Sequence, residues 1–240
     1  MSQKYIGGFI TKSPVAPTSS AASGMWTLDQ AMQLKKQGLW PTFLAIGDAY
    51  GGGFYAGQIS TAGNGIATHN LVVGPVASAQ STLAWKNANT ATSGADSVID
   101  GPQNTADMVA DGNSTVYPCA HFCNNLSTGG QTDWYMPAKN ELEVCYYNLK
   151  PTTTNNNTSS GTNTNAVPSR GSNYTAGTPA QTSAADFKST GAEDFNADFY
   201  WSSTEYSAVY GSMQSFGYGY QYFSGKYQTR PVRAIRRIAV

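Results

Sequence analysis

DFYWSSTEYSAVYGSMQSFGYGYQYFSGKYQTRPVRAIRRIAV, residues 198–240, divides into three strand-like pieces separated by turn residues. DFYWSSTE and GSMQSFGYGYQYFSG carry the aromatic, Ser and Thr side chains that suit a pleated surface. TRPVRAIRRIAV alternates Val232, Ala234 or Ile235, and Ile238 with arginines. Upstream the periodicity is helical. DWYMPAKNELEVCYYNLKP places Pro137 at a helix start and Leu142, Cys145, Tyr146 and Leu149 on one stripe. PCAHFCNNL puts Cys119, Phe122, Cys123 and Leu126 on one helical face, and QNTADMVADG reads as another short helix. Helices, a long loop, then short antiparallel strands predict an α+β domain whose ends meet in one sheet.

Between these parts, residues 151–185 are dominated by Asn, Thr, Ser and Gly, with Val167 and Tyr174 as the sizeable apolar groups. A loop of this length predicts a surface excursion packed lightly on the core, and AADFKSTGAEDF a short helix that returns the chain. Further out, IGDAYGGGFYAGQI sets a Gly run between two antiparallel strands, and NLVVGPVA reads as a buried strand followed by Trp85. The first 45 residues differ in character. KYIGGFIT is strand-like, Pro14 and Pro17 interrupt it, and TLDQAMQLKKQG reads as a helix capped by Thr27 with Gln30, stopped by Gly38 and bracketed by Trp26, Trp40 and Pro41. The expected organisation is an arm at 1–45 and a domain at 46–240 that contains the 151–185 insert.

Charged residues make up 12% of the 240 and balance, with Lys+Arg 14 and Asp+Glu 14, so no field for nucleic acid or an anionic membrane is implied. No run approaches the roughly 18 apolar residues of a membrane span, and Met1 to Pro17 lacks an apolar core of signal-peptide length, which points to synthesis in a cytoplasm. On that ground the Asn-x-Ser/Thr triplets are read as by-products of composition. Three cysteines exclude a disulfide framework and read as buried thiols.

The pieces IGDAYGGGFYAG, GGQTDWYMPAKNELEVCYYNLKP, YWSSTEYS and VRAIRRI, in that order, resemble the Lcl-like family of C-type-lectin-fold domains found on phage particles and some bacterial surface proteins. The resemblance spans about residues 46 to 240. The insert stretch NAVPSRGSNYTAGTPAQTS also looks like phage members, and residues 4–41 look like the attachment segment of phage tail-fibre and capsid-fibre proteins. It implies a C-type-lectin-like domain with a small antiparallel sheet, short helices and long loops, carried on the virion surface. Implied partners are other virion proteins through residues 1–45 and a host-surface glycan or protein. A homotrimer is expected, without nucleic acid, membrane insertion or cofactor.

In related lectin-fold proteins diversified by retroelements, the variable residues lie between the WSSTE-like and VRAIR-like strands. That window places the candidate binding residues at Tyr206, Ser207, Tyr210, Ser212, Gln214, Tyr218, Tyr220, Tyr222, Lys226 and Tyr227, with Ser215 and Thr229 beside them. Phage relatives often carry a tryptophan where this chain has Ser212. The chemistry points the same way without the resemblance. Tyr offers large amphipathic area with few rotamers to freeze, and its faces stack on sugar rings. Residues 218, 220 and 222 share one parity and should face one side, as a surface more than a core.

No enzyme is expected. Formylglycine-generating enzymes use the same fold with reactive cysteines near the C-terminal core, whereas all three cysteines here precede the insert. CAHFC lacks a fourth ligand for a tetrahedral zinc. The Glu-Pro-Asn, Gln-Pro-Asp and Trp-Asn-Asp elements of calcium-dependent lectins are missing, and Glu205 is expected to pair with Arg233 or Arg236. The resemblance leaves two functions open, a host-recognition adhesin and a purely structural capsid or tail decoration.

Overall fold

The computed structural model describes residues 27–37 and 44–240, divided into two units between Ala45 and Ile46. In the first unit Thr27 opens helix α1 (Leu28–Lys36). Its hydroxyl accepts the Gln30 N–H at 3.2 Å and the Gln30 side chain accepts the Thr27 N–H at 3.0 Å, the capping box legible in the sequence. No α1 residue is buried, and Leu28 and Met32 are exposed. The strand-like KYIGGFIT, the Gly38 stop and the bracketing Trp26, Trp40 and Pro41 lie outside the described residues.

The second unit is mixed α and β, with antiparallel sheets and few helices. The Gly run at 51–53 turns β1 (Ala49–Tyr50) back onto β2 (Gly53–Ile59), which pairs with β3 (His69–Val73). A single helical turn, α2 (Val76–Ala79), leads into β4 (Gln80–Ala84). Three helices follow: α3 (Gly101–Asp111), α4 (Pro118–Asn124) and α5 (Lys139–Leu149). The insert contributes β5 (Ala166–Val167), bonded to β2. The chain closes with β6 (Phe199–Glu205), β7 (Tyr210–Ser215), β8 (Gln221–Gly225), β9 (Thr229–Arg233) and β10 (Ile235–Ala239).

These strands form three sheets: β1-β2-β3-β10, the pair β4-β9, and β6-β7-β8. The last strand therefore joins the sheet built by the first ones, as the α+β pattern predicts. The closing region holds five strands where three were expected. GSMQSFGYGYQYFSG breaks at residues 216–220, where Gly219 adopts φ +78°, a left-handed turn open to glycine. TRPVRAIRRIAV breaks at Ala234 because β9 pairs with β4 and β10 with β3.

The apolar stripe of α5 is buried as its 3.6-residue period requires, with Leu142, Cys145, Tyr146 and Leu149 packed among Ile59, Leu71, Tyr200 and Phe216. Pro137 sits before the helix, whose cap is Ala138, and Glu141 accepts the Ala138 N–H at 2.8 Å. The helix also buries two charges off its stripe. Glu141 bonds Arg237 at 2.6 Å and Tyr135 at 2.6 Å. Glu143 bonds Arg170, Tyr174 at 2.7 Å and Asn163 at 2.5 Å. A second core gathers Trp85, Trp134, Trp201, Met213, Cys119 and Cys123.

The insert is irregular as predicted but is not lightly packed. Its asparagine amides replace the missing ladder bonds: Asn156 is buried and donates to Pro179 O at 2.8 Å, and Asn165 donates to Ser60 O at 2.8 Å. Where a helix was expected after it, only a 3-10 turn at Ala185–Phe187 forms, and Thr190 enters a positive φ of 73°.

Candidate functional surface

Aromatic side chains on β6, β7, β8 and their connecting turns make one continuous row. Phe199 meets Tyr218 edge-on at 6.1 Å; Tyr218 stacks on Tyr220 at 6.3 Å and Tyr220 on Tyr222 at 5.1 Å. Tyr222 lies 4.6 Å from Phe223, which stacks on Tyr206 at 4.2 Å with 7° between planes and leans on Tyr210 at 5.0 Å. Each such contact adds about 0.5–1.5 kcal/mol beyond area burial, so the rings hold one another in place. The row is nevertheless open to solvent: Tyr206 is 60% exposed, Tyr222 44%, and Tyr210 and Tyr218 are also exposed.

Backbone geometry positions the row. β8 is an outer strand, and the preceding turn is fastened to the insert by three bonds: Thr152 Oγ1 to Gly217 O at 2.7 Å, Asn157 N to Tyr218 O at 2.7 Å, and Gln221 N to Ser160 Oγ at 3.0 Å. A side chain at Gly219 would strike a ring carbon of Tyr146, with 2.5 Å from its Cβ, so this turn fits only glycine closely. Between the rings lies a cleft of about 290 Å³ lined by Lys139, Ser159, Tyr206, Ser212, Tyr220, Gln221, Tyr222 and Phe223.

Of the residues singled out from sequence, Tyr206, Tyr210, Tyr218 and Tyr222 are exposed in the row, Tyr220 is half-buried within it, and Tyr227 is exposed but makes none of these ring contacts. Ser207 is half-buried and its hydroxyl accepts the Tyr210 N–H at 3.2 Å, shaping the β6-β7 turn. Ser212 and Gln214, with Ser215 beside them, are corrected to buried positions because β7 is the middle strand of its sheet. Gln214 donates to Gly219 O at 2.8 Å. Lys226 is likewise buried: its ammonium is held by Glu205, by Thr90 O at 2.8 Å and by Ala208 O at 3.0 Å, over the Trp85 ring. Burial pulls its pKa below the ordinary lysine value, with Glu205 opposing.

Glu205 therefore pairs with Lys226 and not with an arginine. Arg233 bonds Glu193 at 2.6 Å and Arg236 bonds Asp133 at 2.7 and 2.8 Å, each nearer in the fold. Sequence reasoning missed Phe199, Phe223, Gln221, Ser159 and Lys139. The aromatic density around Phe223 was a usable signal; the approach of Ser159 and Lys139 is tertiary. The cysteines are buried, and no group of His, Cys, Asp and Glu able to hold a metal occurs among the described residues. No helix among the described residues is long and apolar enough to cross a membrane.

No family model matches the chain, and no curated protein matches it. Among solved structures, a fimbrial protein from Bacteroides ovatus is similar over 69% of this chain, at 16% identity and a TM-score of 0.41. The chain spans about a third of that protein's length, 35%.

Proposed function

We propose that the chain is a bacteriophage virion-surface adhesin. In this reading residues 46–240 are a C-type-lectin-like domain that binds a host-surface glycan or protein through the aromatic row. Residues 1–45 attach it to other virion proteins, the assembly is a homotrimer, and there is no catalytic role and no cofactor. The observation that carries the reading is the row itself: rings that would ordinarily be buried stand in solvent on a turn and an outer strand, fixed from behind. Rigid aromatic area of this kind gives binding energy at small entropic cost.

The test is binding of the purified full chain to intact candidate host cells, beside a Tyr218→Ala, Tyr220→Ala, Tyr222→Ala variant whose circular dichroism is unchanged. Wild-type binding that drops at least about tenfold in the variant supports the adhesin reading. Equal binding by both removes the row from the interface. If neither binds while both assemble on particles, the chain is a structural decoration.

A further inference from the structure

The cleft within the row holds a cation that the fold leaves without a carboxylate. Lys139, the first residue of α5, is half-buried there, and among the described residues its ammonium pairs with no carboxylate. Gln221 also lines the cleft, with its Nε2 closed off from solvent. The Ser159 hydroxyl donates to Asn157 Oδ1 at 2.6 Å and so keeps acceptor capacity. No carboxylate lines the cleft. An unpaired ammonium with no carboxylate beside it and a hydroxyl with free lone pairs favour a ligand that supplies an anion and hydroxyls at once.

The remaining walls set the shape of that ligand. Tyr206, Tyr220, Tyr222 and Phe223 present ring surface, and about 290 Å³ lies at the lower end of small-molecule sites, room for one six-membered ring with its substituents. Aromatic faces pack on the C–H face of a pyranose, whose hydroxyls point to the rim.

We propose that the cleft binds one acidic sugar residue of a cell-surface polysaccharide. Its ring packs on Tyr206, which Phe223 covers on one face only, its carboxylate meets the Lys139 ammonium, and one of its hydroxyls donates to the Ser159 oxygen. The cell-surface source rests on the adhesin reading; the acidic-sugar chemistry rests on the cleft alone.

The experiment is calorimetric titration of the full chain with uronic acid trimers (galacturonate, glucuronate and mannuronate) and with the same trimers after reduction of their carboxyl groups. Wild type should bind at least one acidic trimer about tenfold more tightly than its reduced form, the size of one charge-assisted hydrogen bond. Lys139→Met should erase that preference while leaving weak binding of both forms, because only the backbone N–H of Lys139 bonds Thr204 and that contact survives. Tyr206→Ala should weaken both forms. Thermal melts of each variant report folding. Binding of no acidic trimer, equal binding of acidic and reduced forms, or a preference unchanged in Lys139→Met overturns the proposal. These results are separable from the adhesin reading: host-cell binding lost in the triple tyrosine variant with no response to uronates keeps the adhesin and discards the sugar, and uronate binding without cell binding does the reverse.

Discussion

The ring of Phe223 lies 4.2 Å from that of Tyr206, nearly parallel, although the two are 17 positions apart in the chain and no strand pairing joins them directly. This contact ties the β6-β7 turn to the outer strand and makes one surface from two. Phe223→Ala should therefore disturb Tyr206 as well and, on the adhesin proposal, reduce host-cell binding by about tenfold or more. Tyr227→Ala, outside the row, should change it less than about threefold. Equal losses in quantitative cell-binding curves would contradict the row as the unit of recognition.

Lys226→Met should be strongly destabilising. It leaves Glu205 facing a desolvated site, and breaking one side of a buried pair costs about 3–5 kcal/mol. Urea denaturation measures this, and Lys226→Met combined with Glu205→Gln should recover part of the loss. A single-mutant loss below about 1 kcal/mol would mean the pair is solvated.

Gly219→Ala places a methyl at φ +78° and 2.5 Å from Tyr146. The left-handed conformation alone costs about 1–2 kcal/mol, and the contact adds to it. Thermal melts should show the loss, and the near-ultraviolet dichroism of the tyrosines should change with it. An unaltered spectrum would show that the turn absorbs the methyl.

Burial pushes the thiols of Cys119, Cys123 and Cys145 well up, so none is a thiolate at neutral pH in the folded chain. A colorimetric disulfide reagent at about pH 8 should react with none before unfolding and with all three cysteines in urea. One thiol reacting rapidly in the native state would reopen cysteine chemistry.

Burial also holds the carboxyls of Glu141 and Glu143 above the usual 4.5, their arginine partners opposing. A carboxyl raised in the folded state contributes stability that is complete below 4.5 and lost as pH rises through the folded value. Their contribution to the urea midpoint should therefore grow as pH falls from neutrality toward 4.5, and Glu143→Gln should flatten the slope. A slope identical in the variant would assign the dependence to other groups.

What could be read from sequence was what period encodes. The stripe of α5, the capping box of α1 and the glycine hairpin of β1 and β2 follow from local spacing and appear in the fold. Tyr218, Tyr220 and Tyr222 do share one row, but through the turn at 216–220 and not through strand parity, since only Tyr222 lies on β8; parity also assigns Phe223 to the opposite side from Tyr222, yet on an outer strand the two rings turn toward each other. Lys226 looked like a surface charge because its carboxylate lies 21 residues away, at Glu205. Composition marked the insert as solvated. It could not report that Asn156 and Asn165 spend their amides on buried carbonyls.

The three bonds that fasten the insert to the β7-β8 turn end on main-chain atoms at Gly217, Tyr218 and Gln221. Main-chain carbonyls are common to every residue type and N–H groups to all but proline, so Tyr218, and Gln221 short of proline, can be exchanged for other side chains while the fastening persists. Gly219 is the fixed point. The geometry thus separates foundation from lettering: the words presented at this surface can be rewritten from one descendant to the next without renegotiating the fold that displays them.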